Sequence, residues 1–451
     1  MIKIWLVFNN INKFSVKIAK KIKVVEKEKK FPKDYISIID GEIFIFLNDL
    51  SKFTQLEFNY NLIWVGTRIY GFCKSGKYVI KNLEDIPSNE NLYLGWLLGS
   101  YNFEDYKSQK HLKKRVYLDN FKDKKIEITA ESIFLVRDLI NIPANDLGPL
   151  DIQKFIKDNF KKFKLKIIEW KGKSLKKNFP LIYSVGRGAE KKKQPIFSEF
   201  HWSSKNKKKK KNIVLVGKGV CFDTGGLNIK TGNGMILMKK DMGGAANCIG
   251  LAKMLMKSNL DINLKVFLGL VENSVSSKSM RPSDIIKSRK KTFVEIRDTD
   301  AEGRLVLADA LSFASELNPD LIIDMATLTG SSRVALGTEV PSFFSNNEQI
   351  ANLLIRFSNE TGDPLWQLPL WKNYLNLLES EHADTSNIGK GIYAGAITAA
   401  LFLQKFVDSQ IPWIHIDMMA WSSNKSLTSY YGGEAMSIRC LFELIKYISK
   451  N

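Results

Sequence analysis

Histidine is scarce. The 451 residues hold four, His111, His201, His382 and His415, with no H-E-x-x-H among them, which excludes a metalloprotease centre built on a helical histidine pair. Cysteine is equally rare: Cys73, Cys221, Cys248 and Cys440 lie far apart and form no C-x-x-C pair. That removes a disulfide framework and a thiolate zinc site, and a reducing, cytoplasmic setting is expected. Long apolar runs are missing too. The start offers only Ile4-Trp-Leu-Val-Phe8, and no later stretch nears the ~18 residues needed to span a bilayer, so a soluble chain without a cleavable export signal and without a membrane partner is expected. Gly217-Lys-Gly219 fits neither G-x-x-x-x-G-K-[ST] nor G-x-G-x-x-G, which argues against a nucleotide loop. There is no internal repeat and no heptad array.

What remains is the make-up of an ordinary globular protein, 44% hydrophobic and 25% charged, so disorder, fibre and small disulfide scaffold are all excluded. The 68 basic residues outnumber the 47 acidic ones, for a formal charge of +21. Such an excess suits an acidic partner or merely a lysine-rich composition. Its densest point, the unbroken run Lys207–Lys211 after Lys205, reads as a solvated loop before a buried strand or as a polyanion contact. No helix-turn-helix or aromatic-interleaved basic motif accompanies it, so nucleic acid stays open as a partner without motif support.

The chain reads as α/β throughout. In the first ~110 residues Ile4–Phe8, Ile43–Leu47 and Leu62–Val65 read as strands and Asn91–Tyr101 as an amphipathic helix. A small α/β domain over 1–115 is expected, then a charge-dense linker region over 116–129. From 130 to 451 strands and helices alternate. Ile213–Val216, Lys265–Val271 and Leu321–Ala326 are short apolar runs that read as buried strands; Ala130–Ile140, Ala245–Met256 and Leu305–Leu317 read as helices. This alternation predicts a mixed, largely parallel sheet flanked by helices on both faces.

Two segments set ionisable residues among glycines near predicted strand ends, where open α/β sheets place ligands. One is Val216–Lys230 (VGKGVCFDTGGLNIK), continuing through Met238–Ala246 (MKKDMGGAA). The other is Asp298–Arg304 (DTDAEGR), leading into a helix. Asp300 and Glu302 are two apart, so in an extended strand end their side chains point the same way. Asp223, Asp241, Asp300 and Glu302 together carry four negative charges, which an apolar pocket cannot hold unpaired, and two divalent ions would neutralise them. Lys218, between two glycines, is placed where burial beside a cation would depress its pKa and leave a neutral amine as ligand. Lys230 is better suited to stay charged and face a reacting carbonyl. Arg304 at a helix start forms an anion seat, and Gly225, Gly226, Gly243 and Gly244 permit close backbone approach. Taken singly, Asp298–Arg304 is also a capped helix start and Asp223–Gly226 a simple turn.

Together these segments resemble the leucyl aminopeptidase (cytosol aminopeptidase) family of di-metal peptidases. Its Asn-Thr-Asp-Ala-Glu-Gly-Arg signature stands here as Asp298–Arg304, and its Val-Gly-Lys-Gly…Phe-Asp-Ser-Gly-Gly…Ile-Lys segment as Val216–Lys230 with Thr224 for Ser. Met238–Ala246, Ala326–Gly330, Ala335–Gly337 and Gly395–Phe402 extend the likeness over most of 130–451. The resemblance implies that Lys218, Asp223, Asp241 and Glu302 hold a tighter metal, that Asp223, Asp300 and Glu302 hold a more exchangeable one, and that Lys230 and Arg304 are catalytic. Zinc or manganese, with magnesium as an alternative, would activate a bridging water against the first peptide bond, Lys230 would stabilise the oxyanion, and a bicarbonate at Arg304 would act as base. Met238, Thr327, Leu328 and Gly330 would line the first side-chain pocket. Also implied are peptide substrates with a free N-terminus, preferably leucine or another apolar residue, a cytoplasmic homo-hexamer of two stacked trimers, and a regulatory, oligomer-building role for the N-terminal domain. Two departures matter: Asp298 replaces the signature Asn, placing an extra charge where it would act on Asp300, and Met418-Met419 stand where many relatives carry smaller residues. Two metals and an arginine also suit a phosphoesterase, which is the rival reading of the same residues.

Overall fold

The computed structural model describes residues 1–7, 35–39, 41–46, 53–109, 114–206, 210–423 and 431–451. Lys207–Lys209 of the lysine run and His111 lie outside them. The chain divides into two compact units, one made of Met1–Ala130 with Asn359–Gly362, the other holding Glu131–Ser358 and most of the chain after Asp363.

The first unit is a five-stranded sheet in the order β2-β3-β1-β4-β5, with β1 Ile2–Val7, β2 Tyr35–Ile39, β3 Glu42–Phe46, β4 Gly76–Ile80 and β5 Val116–Leu118. All neighbours are parallel except β2 and β3. Two helices accompany it, α1 Gln55–Phe72 and α2 Asn89–Leu98. Leu62–Val65, read as a strand, lies inside α1. A four-residue apolar run cannot by itself distinguish the two, and the deciding signal is upstream: Thr54 and Glu57 form a reciprocal capping box that starts the helix. The two helices cross in close contact, since a Cβ on Gly95 would meet the Ile63 carbonyl at 1.9 Å. The stretch 116–129 is no linker: it contains β5 and the start of α3 Lys124–Asn141, which runs on unbroken.

In the second unit, α4 Pro149–Asn159, β6 Lys166–Lys171, α5 Gly172–Asn178 and α6 Pro180–Gly186 lead into β7 Ile196–Ser203, β8 Lys211–Asp223, α7 Gly243–Lys257 and β9 Ile262–Asn273. Short strands β10 Ile285–Lys287 and β11 Phe293–Glu295 precede α8 Gly303–Glu316, β12 Leu321–Ala326, α9 Gly330–Leu336 and β13 Ser342–Ser345. Then come α10 Glu348–Thr361, β14 Trp366–Gln367, β15 Thr385–Ser386, α11 Gly395–Gln404 and β16 Trp413–Asp417. The main sheet has eight strands in the order β14-β13-β16-β12-β8-β9-β7-β6. Its centre, β16-β12-β8-β9, is parallel, whereas β13 against β16, β9 against β7 and β7 against β6 are antiparallel. The sheet is therefore mixed, and parallel where the site is built.

β8 and β12 read as near-continuous apolar runs because both faces are covered, and every residue of β12 is buried. β8 extends well beyond the expected Ile213–Val216, so Gly217-Lys-Gly219 lies within the strand and not at its end. The reason is packing: a Cβ on Gly217 would meet the Ala245 backbone of α7 at 2.7 Å, and one on Gly244 would meet the Met325 carbonyl of β12 at 2.0 Å. These glycines let α7 lie directly on the sheet. Among the described residues no helix is long and apolar enough to cross a membrane.

Candidate active site

β8 delivers two side chains to the site. Lys218 projects from inside the strand, and its amine meets Asp241 at 2.9 Å, Glu302 Oε1 at 3.0 Å and the Thr327 carbonyl at 2.9 Å. A Cβ on Gly303 would come within 2.5 Å of Lys218 Cε, so the residue after Glu302 must be glycine for the lysine to pass. Asp223 ends the strand just past a β-bulge at Val220/Phe222, a device that re-aims a side chain. Its Oδ1 accepts from Gly225 N at 2.9 Å and Asn273 Nδ2 at 2.8 Å. Gly225 has φ +88°, and a Cβ there would meet the Asn228 carbonyl at 2.3 Å, so this turn admits only glycine. The turn brings Lys230 back over the strand end, where its amine meets Asp223 at 2.8 Å and Asp300 at 2.6 Å.

Asp241 lies in the 3-10 turn Met238–Met242 that enters α7, and Thr327 Oγ1 donates to it at 2.7 Å. Asp300 and Glu302 sit in the turn before α8, with Glu302 as the helix N-cap in helical backbone geometry. They are not on an extended strand end, and the i, i+2 rule is not what unites them; the turn does. One oxygen from each of Asp223, Asp300 and Glu302 falls within 4.8 Å of the others.

Burial lifts the Asp300 carboxyl to about 6, with help from Asp223 and against Lys230. It lifts Glu302 further, Asp223 and Asp241 adding to the push. Burial opposes the charge on Lys218, but Asp241, Glu302 and Asp223 outweigh it and hold the amine above the usual lysine range. This reverses the depressed value that the sequence reading gave Lys218; only an ion that took over the charge of those carboxylates would release the proton. Lys230 is likewise raised against burial, chiefly by Asp223. With both lysines charged, four carboxylates leave a net charge of −2, so charge counting alone does not choose between one divalent ion and two.

The donor set fits a divalent metal. Glu302 Oε2 is buried without a hydrogen-bond partner beside converging carboxylate oxygens, an arrangement that is costly unless a cation completes it. Arg304, in the first turn of α8, is buried with Nε and Nη1 unpartnered, and burial lowers it to about 10. Unpaired guanidinium donors facing a cavity fit an anion. That cavity, of about 500 Å³, is lined by every residue expected from sequence to hold metal, act in catalysis or form the side-chain pocket: Lys218, Asp223, Lys230, Met238, Asp241, Asp300, Glu302, Arg304, Thr327, Leu328 and Gly330. Met418 lines it too, whereas Met419 takes a hydrogen bond from Arg333.

Asp298 behaves otherwise than its charge suggests. Its Oδ1 accepts from Asp300 N at 2.8 Å and Asn228 Nδ2 at 2.7 Å, bonds that an Asn carbonyl would make equally well. The acidic neighbour that chiefly lifts Asp300 is Asp223. Several supporting residues gave no signal in sequence. Asn273, at the end of β9, holds both Asp223 and the Thr299 carbonyl; Asn387, wholly buried, ties the backbone at 297, 298 and 301; Asp417 accepts from Leu328 N and Thr329 N and so fixes the far wall. These lone polar residues are 26 to 90 positions from the groups they hold.

Residues 134–442 match the family model for the cytosol aminopeptidase family, catalytic domain. A probable cytosol aminopeptidase of Ehrlichia ruminantium (strain Welgevonden) is 35% identical over 461 residues, spanning 97% of this chain and 89% of that protein. Among solved structures, the cytosol aminopeptidase from Coxiella burnetii superposes with a TM-score of 0.88 at 37% identity, over 99% of this chain and 97% of that one. The bottromycin maturation enzyme BotP in complex with Mn gives a TM-score of 0.85 at 26% identity, over 99% of each chain.

Proposed function

The chain belongs to the cytosol aminopeptidase family, a metal-dependent hydrolase of the leucyl aminopeptidase-like exopeptidase type, and from that premise we propose that it releases leucine or another apolar N-terminal residue from peptides through a two-metal centre. Lys218, Asp223, Asp241 and Glu302 would hold one ion and Asp223, Asp300 and Glu302 the other. Zinc and manganese both suit this oxygen-and-amine donor set, with magnesium as the weaker alternative, and manganese is the metal in the BotP complex. Bound there, the ions supply Lewis acidity toward a carbonyl and lower the pKa of a water.

The chain's own groups divide the remaining work. Lys230, charged and at the cavity's inner edge, is placed to stabilise the oxyanion that forms as the first peptide carbonyl becomes tetrahedral. Arg304 would hold an anion, bicarbonate in this reading, and that anion would supply general-base chemistry there. Met238, Thr327, Leu328 and Gly330 form the pocket for the first side chain, and Met418 narrows it. The N-terminal unit would build the oligomer, a hexamer in this reading, and the setting would be cytoplasmic.

The observation that carries the reading is the unpartnered Oε2 of Glu302, one of three carboxylates that converge within 4.8 Å. The test is hydrolysis of leucine p-nitroanilide by protein stripped with chelator and reconstituted with manganese or zinc, with N-acetyl-leucine p-nitroanilide and a phosphate ester as controls. Metal-restored cleavage of the free-amine substrate alone is expected. Cleavage of the phosphate ester in its place would move the site to the phosphoesterase reading.

A further inference from the structure

The wall of the active-site cavity carries two cations that neither the metal centre nor the proposed chemistry uses, Lys240 and Arg333. Lys240 follows Met238 by two residues in the 3-10 turn Met238–Met242 and is only 3% exposed. Its neighbour Lys239 turns elsewhere, donating to the Asn141 carbonyl at 2.7 Å and lying over the Trp421 ring. No hydrogen bond or ion pair reaches the Lys240 amine among the described residues. Arg333 comes three residues after Gly330 in α9, and a Cβ on Gly330 would lie 3.5 Å from its Nη2, so the guanidinium borders the first side-chain pocket. Its partner is the Met419 sulfur, 3.1 Å from Nη1, a weak acceptor that leaves the charge unmatched.

Nearby carboxylates do not account for the pair. Asp241 and Asp417 are the acids that act on Lys240, and both are committed to other groups. Asp241 meets the Lys218 amine at 2.9 Å and accepts from Thr327 Oγ1 at 2.7 Å. Asp417 accepts from Leu328 N, Thr329 N and Thr329 Oγ1 at 2.9, 3.1 and 2.6 Å. Neither forms an ion pair with Lys240 or Arg333 among the described residues. Arg333 also opposes the charge on Lys240, so setting both in one wall costs stability unless an anion joins them.

The rest of the wall says what form that anion takes. Met238 and Met418 offer thioether surface, which suits methylene groups. An apolar stem that ends in a carboxylate matches both halves. We infer that the first side-chain pocket accepts an acidic N-terminal residue, glutamate in particular, with its carboxylate held by Arg333 and Lys240. Arg333 supplies the planar donor fork that carboxylates favour, and Lys240 a desolvated point charge. The inference rests on the peptidase reading and widens its range from apolar residues to acidic ones. Glutamine has the same length but no charge to offer, so the pocket tells the two apart by charge alone.

The experiment compares kcat/KM for the p-nitroanilides of leucine, glutamate and glutamine on the full-length protein reconstituted with manganese or zinc. Glutamate is expected to exceed glutamine by about 10-fold or more, with the difference mainly in KM. In the double variant Lys240→Met, Arg333→Met that ratio should fall to about 1. Residues that merely support the wall would lower all three substrates in parallel and leave the ratio where it was. Should the variant fail to fold, free glutamate and free glutamine are compared as inhibitors of leucine p-nitroanilide hydrolysis by the unmodified protein, with glutamate expected to be the tighter by the same factor. Cleavage of leucine with glutamate no better than glutamine, an unchanged ratio in the folded variant, or equal inhibition by the two amino acids would overturn the inference and leave the peptidase reading standing. Cleavage of none of the three with either metal would overturn both.

Discussion

Glu302 touches Lys218, faces Asp223 and Asp300, and keeps one oxygen unpaired, so more of the site's electrostatics depends on it than on any neighbour. Glu302→Ala should abolish hydrolysis of an unblocked dipeptide while leaving the circular dichroism spectrum intact, because removing one of several mutually repelling carboxylates relieves repulsion as it deletes a ligand. Retained turnover in that variant would remove Glu302 from the chemistry. The ionisable residues proposed for the chemistry were legible in sequence because each sits in a dense local motif, and every one lines the cavity; Lys240 and Arg333 line it too and were not singled out. Their supports were not: Asn273, Asn387 and Asp417 are single polar residues whose partners become neighbours only when β8, β9 and β16 align. The protonation of Lys218 was misjudged for a related reason. Burial could be read from its flanking glycines, but the two carboxylates at 2.9 and 3.0 Å come from elsewhere in the chain and reverse its effect.

Helices and strands were most legible where periodicity is long, as in β9, α7 and α8, and least where a short apolar run stood alone, as at Leu62–Val65. The length of β8 escaped because its glycines look like turn signals when they are contact points for α7. The turn after β8 is the reverse case, in which glycine is a conformational requirement. Gly225→Ala should cost more than about 1 kcal/mol in urea unfolding and reduce turnover, since φ +88° and the Asn228 carbonyl at 2.3 Å both resist a Cβ and the turn positions Asp223 and Lys230. A second element-scale test lies on α8. Asp309 is fully buried and accepts from Leu181 N and Ile182 N of α6 and from Arg289 N, and burial outweighs those bonds to push its carboxyl up to about 7. A folded-state pKa above the unfolded ~3.9 means that the native chain binds the proton more tightly, so this group's contribution is full below pH ~4 and is lost as pH rises toward 7. Asp309→Asn should flatten that fall in stability across pH 4–7, and it should also lower stability at every pH, because one amide oxygen cannot serve N–H groups on both sides. An unaltered pH slope in urea melts would mean that Asp309 is ionised throughout.

At the scale of the whole molecule the surface around the active-site mouth is the unexplained quantity. Ile392 and Tyr393 line the cavity yet are 84% and 83% exposed, and Ile236 and Val334, adjoining lining segments in sequence, are 75% and 90% exposed. Large apolar side chains gathered near one opening are uncommon on a monomer and mark a surface that another body covers. A substrate peptide covers such residues only while bound; other copies of the chain, in the proposed hexamer, would cover them permanently. The high net charge argues the other way, since +21 on each copy opposes close association. Apolar burial wins only if the contact is extensive and salt screens the repulsion, which makes the assembly state depend on ionic strength in a definite direction. Light scattering at ~150 mM salt should give six times the mass of one chain, drifting toward smaller species as salt is lowered. Val334→Glu should shift the distribution further toward those species without altering the metal requirement. A single-chain mass at all salt concentrations would refute the hexamer and leave these residues to the substrate alone, in which case Ile392→Ala would raise KM for longer peptides and leave leucine p-nitroanilide untouched.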